Sequence, residues 1–211
     1  MEPGDALEAQ VDGYVVDILR RDLIIEIQTA NFSAIAAKMR ALVSKHRVRL
    51  VHPLPRDLWI VKLPQKKGGE ASRRKSPRHK DAFDIFKELV SFPELITHEN
   101  FQVDAVLTEE EELRAFDARR RWRRRGWRTV ERRLLEVRDT VSLRSAADFM
   151  ALIPAGLPEE FLTSDLAESV GRPRYLAQKV AYCLRSCGLI EQVGRRGNAI
   201  VYSLTPRAAS S

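Results

Sequence analysis

Over the first sixty positions, short β-branched runs alternate with one helical stripe. Residues 11–19 (VDGYVVDIL) and 22–29 (DLIIEIQT) are rich in Val and Ile, and they read as two strands of a hairpin joined at Arg20-Arg21. From Phe32 to Ser44 the apolar residues Ile35, Met39, Leu42 and Val43 recur at helical spacing. Residues 48–52 and 58–63 read as two further strands, separated by Pro53 and Pro55, which cannot donate to a ladder. Trp59 and Tyr14 read as core. Residues 65–80 are polar and cationic without apolar periodicity, so they predict an exposed loop able to embrace a phosphate backbone, or a disordered stretch. A helix over 84–90 turns Phe83, Phe86, Leu89 and Val90 inward, and 101–107 predicts another strand.

The second half is punctuated more regularly. Thr108 followed by Glu109-Glu110-Glu111 has the form of a capping box opening a helix, and residues 129–138 carry Val130, Leu134, Leu135 and Val137 on a second one. The stretch 108–140 therefore predicts an all-α connector. Beyond it, residues 145–153 read as a helix ended by Pro154-Ala155-Gly156. Thr163 or Ser164 can cap a second helix running to Gly171. Arg172-Pro173 opens a third, with Leu176, Val180, Cys183, Leu184 and Cys187 on one side, and Gly188 ends it. Strands at 189–193 and 199–204 follow, joined by two glycines and an asparagine suited to a turn with positive φ.

Composition narrows the function classes. Apolar residues make up 44% of the 211, enough to build cores. No apolar run has the length of a membrane span, and Met1-Glu2-Pro3-Gly4-Asp5 lacks the basic-then-apolar start of a signal peptide, so the expected location is cytoplasmic, with no membrane partner. Cys183 and Cys187 lie one helical turn apart and read as buried thiols. The four histidines are scattered, and no Gly-rich phosphate loop occurs. The net charge of +7 and the pI near 9.7 favour a polyanionic partner. Six arginines (Arg119, Arg120, Arg121, Arg123, Arg124 and Arg125) surround Trp122, an arrangement suited to phosphate binding and base stacking. On the third C-terminal helix, Arg174, Tyr175, Gln178, Lys179 and Tyr182 or Arg185 lie opposite the apolar stripe, Arg172 stands at its opening, and Arg195 and Arg196 tip the hairpin. Arg172, Arg174, Tyr175, Gln178, Lys179, Arg195 and Arg196 are the candidate DNA contacts.

Three helices followed by a two-stranded hairpin, over residues 141–211, resemble the winged helix-turn-helix family. The resemblance implies a third helix in the major groove of DNA and a wing on phosphates or in the minor groove.

The first hairpin carries the residues hardest to explain by stability. Asp17 interrupts one apolar strand, and Glu26 and Gln28 the other. Burying carboxylates is costly unless they are paired or bind a cation. With an even-numbered loop between the strands, Asp17 faces the same side as Glu26 and Gln28, and Asp12 points away unless Gly13 makes a bulge. Together with a main-chain carbonyl, Asp and Glu form a site for a hard cation such as Mg²⁺ or Mn²⁺. Over residues 8–63 this pattern resembles the PD-(D/E)XK, or restriction-endonuclease-like, nuclease superfamily. That family places an Asp on one strand and Glu-x-Lys on the next, followed by a helix. Asp17 stands at the Asp position, Glu26 at the Glu position and Gln28 at the Lys position. Glu8 falls where the family allows a further acid.

The resemblance implies that Asp17, Glu26 and the Ile27 carbonyl hold a divalent metal for phosphodiester cleavage, with Gln28 beside them as the third catalytic position. Glutamine cannot supply lysine's charge; Lys38 and Arg47 are nearby cations that could. The resulting expectation is an α/β fold with a mixed-sheet, restriction-endonuclease-like core (1–107), an all-α arginine-rich connector (108–140) and a winged helix domain (141–211). Two functional readings follow. One is a metal-dependent DNA endonuclease. The other is a catalytically inactive nuclease-fold protein that binds DNA as a regulator or assembly factor. RNA is an alternative polyanion, and a homodimer is an expectation from the resemblance alone.

Overall fold

A computed structural model describes residues 2–66, 69–120 and 126–205. The chain opens with β1 (Ala6–Val11) and β2 (Tyr14–Arg20), paired antiparallel from Ala6↔Leu19 to Val11↔Tyr14. Asp12 and Gly13 form the two-residue turn between them, at φ of 47° and 83°. Two consecutive positive φ values match the right-handed twist of a tight hairpin, and the Asp-Gly pair accommodates both. The expected single strand over 11–19 is thus divided at this turn, and β1 is an element the pattern did not signal.

The next strand, β3 (Leu23–Ile27), pairs antiparallel with β2 across the two-residue loop Arg21-Asp22. A 3-10 turn (Phe32–Ile35) leads into α1 (Ala36–Val43), which buries Ala36, Met39, Leu42 and Val43. The chain then returns as β4 (Arg47–Lys62), parallel to β3 from Leu23↔Arg47 to Ile27↔Val51. Parallel neighbours need a crossover, and α1 supplies it.

Rather than two strands parted by prolines, β4 is one. Its partner β3 reaches only to Val51, and β5 (Ser72–Lys75) pairs with it only from Trp59 onward. Pro53 and Pro55 fall in the interval where neither partner requires an N–H. The expected loop over 65–80 therefore contains a short strand.

α2 (Phe86–Leu89) continues a 3-10 turn (Ala82–Ile85). Two long strands follow, β6 (Phe101–Phe116) and β7 (Trp127–Leu143), and they replace the predicted all-α connector. Thr108 and its glutamates start no helix. They lie within β6, where Thr108 donates its hydroxyl to Glu110 (2.7 Å). The glutamates favour a strand because each finds a partner: Glu109 accepts from Trp59 (2.6 Å), Glu111 pairs with Arg73 (2.8 Å) and Glu112 with Arg114 (2.8 Å). Such pairs stabilise a sheet as (i, i+4) pairs stabilise a helix, and composition alone cannot distinguish the two uses. The predicted helix 129–138 lies within β7, whose Thr129, Val130, Val137, Thr140 and Val141 suit a strand.

Among the described residues the large mixed sheet has the order β1-β2-β3-β4-β6-β7, with β5 also on β4. After it come α3 (Ala146–Met150), β8 (Glu160–Phe161), α4 (Thr163–Ser169), α5 (Arg174–Ser186), β9 (Ile190–Arg196) and β10 (Ala199–Leu204), with β8-β10-β9 forming a second sheet. Ser145 and Asp148 make a reciprocal capping box at α3 (3.3 and 2.8 Å). α5 buries Leu176, Val180, Cys183 and Leu184 as the stripe predicted, and β8 was not anticipated.

The chain divides into two compact units that do not follow sequence order. The first comprises Met1–His52, Phe83–Ala105 and Ser142–Ser211; the second comprises Pro53–Ala82 and Val106–Val141. The core of the first is aromatic: Phe32 stacks on Phe92 (5.5 Å between centroids), and Phe92 and Phe101, like Phe86 and Phe149, meet edge to face. No helix among the described residues is long and apolar enough to cross a membrane.

Candidate active site

The β2–β3 ladder ends at Ile18↔Ile25. One step further, the register sets Asp17 opposite Glu26, and there the strands exchange a different bond: the Ile27 N–H donates to Asp17 Oδ2 (2.7 Å). A side chain has replaced a main-chain acceptor, which opens the hairpin at its acidic end. Because the N–H and C=O of a strand residue point to the same side, the Ile27 carbonyl also faces β2. The Gln28 N–H turns the other way, to the Val51 carbonyl (2.9 Å).

The two acids differ in setting. Asp17 is exposed, whereas Glu26 is only 5% exposed. Lys38, from α1, donates to the Val15 carbonyl (2.6 Å), and its Nζ lies 2.5 Å from Glu26 Oε1. That contact supplies charge, yet Oε1 is buried without an aligned hydrogen bond. Burial raises the Glu26 carboxyl above its ordinary range; the Lys38 ammonium opposes the rise and the Asp17 carboxylate adds to it.

Gln28 does not join this group. Its amide folds back to the carbonyls of Ala30 (2.5 Å) and Asn31 (3.4 Å). Arg47 pairs with Asp22 at 3.5 Å and also stands apart from it. Glu8 is in register opposite Asp17, but its φ is 49°, its side chain is exposed, and the ladder skips it. Asp12 lies in the β1–β2 turn and pairs with Lys45 and His46. The pattern thus marked the two carboxylates, while Lys38 was legible only as the nearest cation on the following helix.

A hard divalent cation suits the donors that remain. The buried Glu26 carboxylate, the Asp17 carboxylate and a strand carbonyl are all oxygen donors, and a cation held by two carboxylates keeps several waters. Among the described residues, no group of three or more His, Cys, Asp and Glu converges on such a site.

Residues 1–144 match the family described as a domain of unknown function, DUF8091. The chain belongs to this family. It is also 29% identical over 204 residues to an uncharacterized protein of Treponema pallidum (strain Nichols), an alignment covering 96% of this chain and 80% of that one. No solved structure matches it.

The DUF8091 match ends one residue past β7, so it contains the acidic site and the whole large sheet. It also contains the arginine run. Arg119 and Arg120 lie in a 3-10 turn (Ala118–Arg120) just after β6, while Arg121, Arg123, Arg124 and Arg125 lie outside the described residues. Asp117 and Gly126, which flank the run, are joined by the Asp117 N–H donating to the Gly126 carbonyl (2.8 Å). Gly126 has a φ of 86°, and a Cβ there would come within 2.7 Å of the Phe116 ring.

Beyond the DUF8091 segment, the α5 residues divide. Arg174, Tyr175 and Gln178 are exposed, but Arg172 pairs with Asp84 (3.5 Å) and Lys179 donates to the Lys87 carbonyl (3.1 Å), both toward α2. Arg195 and Arg196 are exposed beside the β9–β10 turn, and Arg196 lies 4.0 Å from Glu160.

Proposed function

We propose that this DUF8091 protein is a metal-dependent nuclease that hydrolyses phosphodiester bonds in DNA. The observation carrying the proposal is the convergence of Asp17, Glu26 and Lys38 at the opened end of one hairpin. Asp17, Glu26 and the Ile27 carbonyl would hold Mg²⁺ or Mn²⁺, which supplies Lewis acidity toward a phosphoryl oxygen and its bound water. Lys38 takes the role that Gln28 cannot fill. Its ammonium carries the positive charge beside Glu26, and its bond to the Val15 carbonyl fixes where that charge sits. Burial of Glu26 keeps one wall of the site dry, and exposure of Asp17 leaves the other open to a strand of DNA.

The C-terminal elements support a winged helix-turn-helix reading by their order: helix, strand, helix, helix, then two strands in a three-stranded sheet. Arg174, Tyr175 and Gln178 are the α5 side chains available to DNA, with Arg195 and Arg196 on the wing. A catalytically inactive, DNA-binding regulator is the second reading, favoured by the Gln28 amide turning to the loop carbonyls instead of the carboxylates.

Cleavage of plasmid and single-stranded DNA with Mg²⁺ or Mn²⁺ separates the two. The nuclease reading expects cutting by the full chain that is lost in Asp17→Ala, Glu26→Ala and Lys38→Ala while DNA binding persists. Tight, salt-sensitive binding with no cutting under either metal would overturn it in favour of the regulator.

A further inference from the structure

The excess positive charge is confined to one part of the chain. Residues 53–82 and 106–141 carry 20 Lys and Arg against 11 Asp and Glu, and the remainder carries 16 against 18. The unit formed by these two stretches also holds a cavity of about 470 Å³. Arg74, Arg78, Lys80, Arg114 and Arg132 line it, with Glu112 as the one acid among its lining residues. Leu58, Ile60 and the prolines Pro55 and Pro77 give it an apolar floor.

Glu112 organises two of the cations. It is 2% exposed, accepts from Arg114 (2.8 Å) and Arg132 (3.2 Å), and takes a short hydrogen bond from the Thr129 hydroxyl. One buried carboxylate therefore fixes two guanidinium groups at the cavity wall and leaves the cavity strongly positive. Fixed guanidinium forks match a tetrahedral phosphate oxygen by oxygen, which point charges on flexible stems do not. The apolar floor suits a sugar or base, giving the mixed lining of a nucleotide pocket.

We propose that this cavity is a binding site for a phosphate and its attached nucleoside within a nucleic-acid strand. The inference rests on the nuclease reading for the identity of the strand, and on the cavity alone for its place. It assigns the grip on substrate to Arg74, Arg78, Lys80, Arg114 and Arg132, none of which belongs to the acidic hairpin or to α5. Arg74 and Arg78 are exposed rim residues, so they can be reversed without opening a core.

The test is fluorescence anisotropy of the full chain with a labelled single-stranded oligonucleotide in EDTA, where no cutting occurs, across a salt series. Native protein, Arg74→Glu/Arg78→Glu and, as a control from an exposed strand, Arg133→Glu are compared. The double variant is expected to bind at least tenfold more weakly, with a salt slope reduced by about two phosphate contacts, while the control stays within about twofold. Inorganic tripolyphosphate should compete with the oligonucleotide on native protein but fail to match its affinity, which separates a nucleotide pocket from a generic phosphate trap. Equal binding by the double variant and native protein, no binding by native protein at low salt, or tripolyphosphate binding as tightly as the oligonucleotide would each overturn the proposal. Failure of the nuclease reading is read separately: cutting would be absent with metal although this binding and its loss in the double variant remained.

Discussion

Two glutamates in this molecule are almost equally hidden from water and are handled in opposite ways. Glu26, on β3, meets one lysine, and burial lifts its carboxyl above the ordinary range. Glu112, on β6, is opposed by burial too, but hydrogen bonds from Thr129 and Arg114 and the charges of Arg114 and Arg132 hold its carboxyl below that range. Depth is the same; the supply of partners is not. A carboxylate whose single partner does not offset its burial has its charged form disfavoured, whereas one with several partners is a structural cross-link. The contrast locates the candidate active site better than burial or charge density would.

The largest effect that sharpens this contrast is on cleavage. Asp17→Ala and Glu26→Ala should each lower Mg²⁺-dependent cutting by at least 100-fold, and Lys38→Ala by roughly 100- to 1,000-fold, as for removal of one charge-stabilising donor. Gln28→Ala should change it by less than about tenfold, because its amide bonds only to loop carbonyls. Single-turnover rates on one oligonucleotide check all four, and a Gln28→Ala loss as deep as that of Lys38→Ala would reverse the assignment.

Stability comes next. Glu112→Ala leaves Arg114 and Arg132 without their shared acceptor and should cost about 3 kcal/mol in urea unfolding. Glu26→Gln should cost far less, because it removes a charge that burial already disfavours.

The pH dependence should split in the same direction. Native Glu26 holds its proton more tightly than the unfolded chain does, so its contribution is complete at low pH and fades as pH rises through its raised native value. Glu112 is the reverse: its contribution is present above the ordinary carboxyl range and fades as pH falls through its lowered value. Unfolding midpoints from about pH 3 to 8 should therefore flatten on the alkaline side of the carboxyl range in Glu26→Gln, and on the acid side in Glu112→Gln. The smallest effect concerns the β6–β7 loop, where Gly126→Ala should lower Tm by a few degrees, since its φ is positive and the Phe116 ring stands in the way.

What the sequence disclosed follows the same division. The hairpin, α1 and α5 were legible because their apolar residues recur with one period and face one core: Met39, Leu42 and Val43 in α1, and Leu176, Val180 and Leu184 in α5. β6 and β7 were not. Their charged residues find partners on other strands, such as Arg138 with Glu109 and Arg132 with Glu112, and those partners lie tens of positions away. Read locally, glutamates after a threonine and arginines beside leucines describe a helix as well as a strand. The candidate site was half legible. Asp17 and Glu26 stood out as acids in apolar strands, but the position of Lys38 depends on how α1 lies against β2 and β3, which no short-range pattern reports.

The interleaving of the two units also has a consequence for synthesis. Three of the four places where the chain passes between units fall inside unbroken strands: β4 at His52–Pro53, β6 at Ala105–Val106 and β7 at Val141–Ser142. The unit that carries the hairpin is started first and finished last, since α5 and β10 belong to it, while the basic unit has all its residues once Val141 has emerged. On a ribosome the basic unit therefore has its whole sequence available before the unit that carries the acidic hairpin does. An elongating chain would present its arginine-rich unit before the unit of the acidic hairpin is fully synthesised.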